Sequence, residues 1–171
     1  DEVELILNGK SLGKRQNPKS DTKQRNQIKW DSISYAKGYL EAVAFNNKKV
    51  VARHRIETTG KAVRLKVTPD NSYWKADGND LQHLLIEAVD SKGRRVPLTK
   101  DELHFSVVGD ATIVAVGNGD INSDELNVQD HRRLWNGAAI VILRSGKNPS
   151  EVSLKISSPS FKTVTTRLET L

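Results

Sequence analysis

No stretch of this 171-residue chain holds apolar residues at i, i+3, i+4 for the length of a helix, whereas period-two alternation recurs throughout. In residues 62–70, AVRLKVTPD, the side chains of Val63, Leu65 and Val67 fall on one face and those of Arg64 and Lys66 on the other. Similar runs follow at 84–90, in ELHFSVVG, ATIVAVGN, AAIVILRS and EVSLKISS, and in KTVTTRLET. Turn signals part them: Pro69-Asp70-Asn71, the segment 91–97, and Gly109-Asp110. About seven strands in residues 60–171 with turns at regular spacing predict an Ig-like sandwich. The absence of cysteine removes disulfides and Cys-based zinc sites but not this fold, since many Ig-like domains carry no disulfide.

The first part of the chain also reads as strand, turn, strand. Residues 3–7, VELIL, lead into Asn8-Gly9, a strong two-residue hairpin signal. Ile28, Trp30 and Ile33 are candidates to face inward in IKWDSISY. YLEAVAFN, Asn47-Lys48-Lys49 and VVARHRIET then form a second hairpin. A polar linker at Thr58-Thr59-Gly60-Lys61 divides the chain into a small module, 1–59, and a larger one, 60–171. The expected fold class is all-β: two Ig-like β-sandwich modules in tandem, the first small and incomplete. With 36% hydrophobic residues the chain can fill two thin cores, and no apolar run approaches the roughly 20 residues of a membrane span, so membrane insertion is not expected. No signal peptide is visible, and the strand-like start at Asp1 suggests a piece cut from a longer chain.

The net charge of +6 lies mostly in the first module, where 12 Lys and Arg face 7 Asp and Glu. Much of it sits in 14–29, KRQNPKSDTKQRNQIK, which has no aromatic, no helical period and a proline. Nucleic-acid binding wants basic residues interleaved with aromatics or set along a helix. This segment reads as a solvated loop, and nucleic acid is not an expected partner.

Several of these pieces together resemble the C-terminal, non-catalytic region of bacterial family 2 glycoside hydrolases of the β-galactosidase type. In the first module the resemblance rests on Val3 to Lys14 (VELILNGKSLGK), Trp30, and Gly38-Tyr39-Leu40-Glu41-Ala42-Val43-Ala44-Phe45. In the second it rests on Leu65 with Pro69-Asp70, Lys75-Ala76-Asp77-Gly78-Asn79-Asp80-Leu81, Glu87-Ala88-Val89-Asp90 with Gly93 and Val96-Pro97, Gly117-Asn118-Gly119-Asp120, and Arg133-Leu134-Trp135-Asn136-Gly137. Two departures stand out. The strand or strands that usually precede the VELxLNG motif are missing, and Ile121-Asn122-Ser123-Asp124-Glu125 replaces a Pro-x-Ser-His-Glu segment, so any role of that His is not carried over.

The resemblance implies a parent β-galactosidase of bacterial origin, exported rather than cytoplasmic, with these modules as accessory domains. They would buttress the catalytic barrel, shape substrate access or set oligomer geometry. The implied partners are the catalytic and other domains of the parent glycosidase and a neighbouring subunit. Two alternatives stay open: a carbohydrate-binding module that targets the enzyme to glycan, and a bacterial Ig-like adhesin or stalk spacer. No cofactor is implied. Retaining glycosidases need two carboxylates about 5 Å apart across a barrel pocket, and this chain supplies no barrel, so no catalytic residue is nominated.

The feature with most potential to form a site is the long polar crossing within 115–143. Asp120, Asn122 and Asp124 have the 1, 3, 5 spacing of an EF-hand loop, but Glu125 and His131 occupy the positions that require Gly and a bidentate Glu. Calcium is therefore a weak candidate, and no metal site is assigned. His54, His83, His104 and His131 lack the spacing of a zinc motif. Among aromatics, Trp30 and Trp135 read as core. Tyr73 and Trp74 lie in polar sequence, which makes Trp74, with Tyr73, the candidate platform for stacking a sugar. The crossing itself reads as a structural lock. Its direction changes at Asn118-Gly119-Asp120 and Asn136-Gly137, and Arg133 is the candidate to tie it down through hydrogen bonds.

Overall fold

A computed structural model describes residues 2–25 and 27–171, and these described residues form twelve strands in three antiparallel sheets. Asp1, with which the expected first module begins, and Asn26, inside the basic segment, lie outside the described residues. The strands fall into two compact units, Asp1–Thr58 and Thr59–Leu171.

The first unit is one four-stranded sheet in the order β2-β1-β3-β4, built from β1 (Glu2–Leu7), β2 (Lys10–Gln16), β3 (Tyr39–Asn46) and β4 (Lys49–Glu57). Both hairpins turn on two residues with positive φ, Asn8 (50°) with Gly9 (83°) and Asn47 (49°) with Lys48 (66°). Such turns match the right-handed twist of the strands they join. The Asn8 carboxamide then works across the sheet: its Oδ1 accepts the Tyr39 N–H at 2.7 Å, and its Nδ2 donates to the Lys37 carbonyl at 3.0 Å. Leu5 and Val43 are buried, while every residue of β4 is exposed.

Two expectations shift here. Residues 28–35 form no strand, and Lys14, Arg15 and Gln16 belong to β2 rather than to a loop. The reason is local: these side chains find partners on the sheet. Lys14 lies 4.0 Å above the Phe45 ring and 3.4 Å from Glu2, and Gln16 donates to Glu2 at 3.2 Å. Arg15 donates to the Lys29 carbonyl and packs against Trp30, whose ring centre is 5.6 Å away.

The second unit is a sandwich. One sheet runs β5-β6-β10-β8, from β5 (Arg64–Pro69), β6 (Leu81–Val89), β10 (Ala138–Ser145) and β8 (Ala111–Gly117). The other runs β12-β11-β7-β9, from β12 (Val164–Glu169), β11 (Glu151–Ser157), β7 (Glu102–Val108) and β9 (His131–Arg133). Alternation puts Leu84, Ile86, Val141 and Leu143 of the first sheet into one core with Leu103, Phe105, Leu154 and Ile156 of the second. The strand that periodicity missed is β9, three residues inside the crossing.

Asp90, at the end of β6, is 1% exposed and fully committed. Oδ1 accepts the N–H groups of Lys92 (2.9 Å) and Arg94 (3.0 Å), and Oδ2 accepts the Gly60 N–H (2.9 Å) and the Arg94 guanidinium (2.9 and 2.6 Å). The Arg94 side chain, then the backbone N–H of Gly60, hold its carboxyl well below the usual carboxylate range. A carboxyl depressed in the folded state stabilises fully above its unfolded value, about 3.9, and loses that contribution as pH falls through the folded value. Asp90→Asn is thus expected to lower the urea midpoint at pH 7. The gap to wild type should hold down to about pH 4 and narrow only below it, as read in urea titrations at stepped pH. A gap unchanged between pH 7 and pH 2 would contradict this role.

Candidate functional site

The crossing leaves β8 in one sheet, passes through β9 in the other and returns to β10. Its polar side chains converge on a guanidinium. Arg132 is 4% exposed. Its Nη1 donates to the Glu125 carbonyl at 2.9 Å and, at 3.4 Å, to the Leu126 carbonyl and Asn127 Oδ1, while Nη2 donates to Asn118 Oδ1 at 3.1 Å. Its Nε makes no hydrogen bond but lies 3.7 Å from Glu125 Oε2, which balances the charge. Glu125 in turn accepts the Arg133 N–H on Oε1 (3.1 Å) and the Ser123 hydroxyl on Oε2 (3.1 Å). Asn118 closes the ring, with Nδ2 donating to the Arg133 carbonyl at 2.9 Å and Oδ1 accepting the Asp120 N–H at 3.0 Å.

The lock is therefore built on Arg132 and not on the expected Arg133. Strand β9 alternates, so Arg132 points where Leu134 does, into the sandwich, and Arg133 points out. The Arg133 side chain is 67% exposed and meets Glu102 of β7 at 3.5 Å. Reading the crossing as loop hid this. The signal was the pair Arg132 and Leu134, two residues apart.

Both Asn-Gly pairs sit at changes of direction. Gly119 has φ 78°, and nothing lies within 4 Å of where its Cβ would be. Asn136 (φ 49°) and Gly137 (φ 69°) form a tight turn in which Trp135 and Ala138 exchange hydrogen bonds at 2.9 Å. A Cβ on Gly137 would come 2.2 Å from the Val96 carbonyl oxygen.

Asp120 Oδ1 caps a turn by accepting the Asn122 N–H at 3.0 Å, and Asp124 is exposed. Among the described residues no three His, Asp or Glu side chains are grouped to hold a metal ion. The fold does join two histidines that are distant in sequence. His104 and His131 face each other across β7 and β9 with ring centres 5.7 Å apart, and each is tied to a neighbouring carboxylate, Glu102 at 3.1 Å and Asp130 at 2.9 Å. The His131 side chain holds the Asp130 carboxyl below its ordinary range.

The sugar platform proposed at Trp74 does not exist. Trp74 is 2% exposed, and its indole N–H donates to the Asp80 carbonyl at 3.0 Å. The polar residues around it are what turn it inward: Asp80 Oδ2 accepts the Lys75 N–H, and Asp77 Oδ1 accepts the N–H groups of Asn79 and Asp80, all at 2.8 Å. Tyr73 alone stays outside, 50% exposed.

Beside the lock lies an open cleft of about 410 Å3, with Ala115, Ile140 and Ile142 as its apolar floor and Asn118, Asp120 and Arg132 on its polar side. Arg132 Nη2 and the Asp120 N–H both donate to Asn118 Oδ1, so the crossing can hold two sheets in register.

Comparison with known proteins agrees with this architecture. The profile of the glycoside hydrolase family 2 C-terminal domain 5 matches residues 65–167, and a domain of unknown function (DUF4982) matches residues 1–52. A Bacteroides ovatus β-galactosidase, BoGH2A, is 31% identical over 95% of this chain and 18% of its own length. A β-glucuronidase from Formosa agariphila is 31% identical over 99% of this chain and 17% of its own. The crystal structure of a glycosyl hydrolase family 2 member from Bacteroides cellulosilyticus superposes with a TM-score of 0.93 at 35% identity, covering 99% of this chain and 21% of that one. The chain spans about one fifth of the length of these relatives.

Two measurements check the lock. Arg132→Met removes the cation that balances Glu125 and the donor to four oxygen acceptors, and is expected to cost about 3 kcal/mol or more in chemical denaturation, whereas Arg133→Met should stay within about 0.5 kcal/mol. Gly119→Ala carries only the strain of its φ, about 1 kcal/mol, while Gly137→Ala adds a backbone collision and should be clearly worse. Equal costs within either pair would refute the assignment.

Proposed function

The chain belongs to the glycoside hydrolase family 2 C-terminal domain 5 family, and from that premise we propose that it serves as a non-catalytic, structural part of a larger β-glycosidase. The observation that carries this reading is the mismatch of coverage: similarity runs through nearly all of this chain and under a quarter of each relative. The rest of such an enzyme holds its catalytic barrel. The parent's substrate in this reading is a β-linked hexopyranoside, with a β-galactoside our choice, and relatives named β-galactosidase and β-glucuronidase support it. The half-buried and buried carboxylates support the reading as well. Asp90, Asp110 and Glu125 each accept hydrogen bonds that hold turns together, which leaves them unsuited to proton transfer or nucleophilic attack.

In this role the sandwich acts through its rigidity. A domain whose crossing is fixed by side-chain bonds presents a constant surface to the barrel or to a neighbouring subunit. Two experiments test the proposal together. The 171-residue chain should release no nitrophenol from p-nitrophenyl β-galactoside or β-glucuronide above buffer rates. Deleting this region from the full-length parent should lower the parent's melting temperature or its soluble yield, with little loss of kcat in the molecules that remain folded. Hydrolysis by the isolated chain, or a truncated parent as stable as the whole, would contradict it.

A further inference from the structure

His104 and His131 are far apart in the chain and meet only because β9 pairs with β7, where they stand directly across from each other. The Phe105 N–H, one residue beyond His104, donates to the carbonyl of Asp130, one residue before His131, at 2.7 Å. A bond that flanks an opposed pair in this way marks it as a non-hydrogen-bonded pair, in which the backbones lie closest and the side chains meet most directly. Both side chains point away from the core, because Leu103, Phe105 and Arg132 take the inward positions of the two strands. The ring centres are 5.7 Å apart with 30° between the planes, and the side chains of His104 and His131 are 54% and 39% exposed.

Each ring has one nitrogen tied and one left over. His104 Nε2 lies 3.1 Å from Glu102 Oε1, and His131 Nδ1 lies 2.9 Å from Asp130 Oδ1. His104 Nδ1 and His131 Nε2 meet no hydrogen-bond partner among the described residues. A carboxylate on one ring nitrogen is the arrangement that prepares an imidazole for a metal: it keeps the N–H on its own side and leaves the lone pair of the other nitrogen free. Glu102 also meets Arg133 at 3.5 Å, so two carboxylates and one guanidinium surround the rings, an excess of negative charge that favours a cation. Across the other edge of β7 the neighbour of His104 is the uncharged Ser157. His83 makes a comparable contact with Asp70 at 3.0 Å, but among the described residues no second imidazole ring stacks beside it.

Two imidazoles on one solvent-facing surface match a borderline divalent transition metal, whereas hard cations such as Ca2+ and Mg2+ take oxygen ligands. Among the described residues no three such side chains are grouped to hold an ion, so the protein supplies two ligands and water completes the shell. A tetrahedral ion with bonds of about 2.0–2.1 Å draws two nitrogens to about 3.4 Å from each other, a distance these half-exposed rings reach by turning about their own side-chain bonds. We propose that His104 and His131 bind one divalent transition-metal ion, Zn2+ or its imidazole-seeking neighbours Ni2+ and Cu2+, with Glu102 and Asp130 as the carboxylates that position the rings. The ion joins β7 to β9, the three-residue strand that carries Arg132, and so staples the crossing from its outer face. The site stands on its own geometry and holds whether or not the chain acts as an accessory domain.

The test is a calorimetric titration of the untagged 171-residue chain with ZnCl2 and NiCl2, against CaCl2 and MgCl2, with histidine-ring NMR on the same samples. One Zn2+ per chain is expected to bind saturably with a Kd below about 1 mM, and Ca2+ and Mg2+ at least about a hundredfold more weakly. The ring resonances of His104 and His131 should shift with Zn2+ while those of His54 and His83 stay in place. His104→Gln and His131→Gln should each weaken binding at least about tenfold, and His83→Gln should leave it unchanged. Asp130→Asn keeps both imidazoles and should weaken it about tenfold. Zn2+ should also slow exchange of the Phe105 amide, whose bond to the Asp130 carbonyl spans the stapled strands. Absence of saturable Zn2+ binding, equal binding of Ca2+, ring shifts confined to His54 or His83, or an affinity that survives either histidine substitution overturns the site. Unchanged exchange of Phe105 in the Zn2+-loaded chain overturns the staple.

Discussion

A guanidinium taken out of water must be met by acceptors, because a buried unpaired charge costs several kcal/mol. Arg132 meets this condition with one charge partner and four oxygen acceptors, all supplied by the segment from Asn118 to Asn127. The chain that links the two sheets of the sandwich is thereby wrapped around a single residue of the strand it leads into. Satisfying Arg132 and shaping the crossing are the same event. The rest of the region follows: β9 can pair with β7, Leu134 can enter the core, and the Asn136-Gly137 turn can deliver β10 to the opposite sheet.

Asp90 does for the first turns of the unit what Arg132 does for the crossing. One buried carboxylate gathers Gly60, Lys92 and Arg94 and fixes where the sandwich begins. In both places a charged residue is spent on architecture. This is the physical content of the accessory role: the polar groups that look most like a site are satisfied internally, and the surface they support stays constant.

Much of this was legible in the chain. Period-two alternation located the strands of both units, and Asn-Gly signalled the β1–β2 hairpin because only residues tolerant of positive φ fit there. What was not legible depended on contacts between distant residues. The alternation of β9 is three residues long, too short to stand out from its polar surroundings, so the lock was assigned to Arg133 one position away. Trp74 was read as exposed because its neighbours are polar, yet those neighbours turn the chain over and bury it. Residues 28–35 have strand-like composition but form no strand, and are held instead by side-chain contacts such as those of Arg15 with the Lys29 carbonyl and Trp30.

The account's central claim is that the crossing is a rigid lock and not an open loop. Amide hydrogen exchange on the 171-residue chain tests it most directly. The N–H groups of Val116, Phe105 and Arg133 are bonded to Asn127 O, Asp130 O and Glu125 Oε1. They should exchange within about tenfold of the β10 core amides, since local opening there would require breaking the Arg132 network. Exchange at the rate of an unstructured loop, with β10 still protected, would contradict the claim.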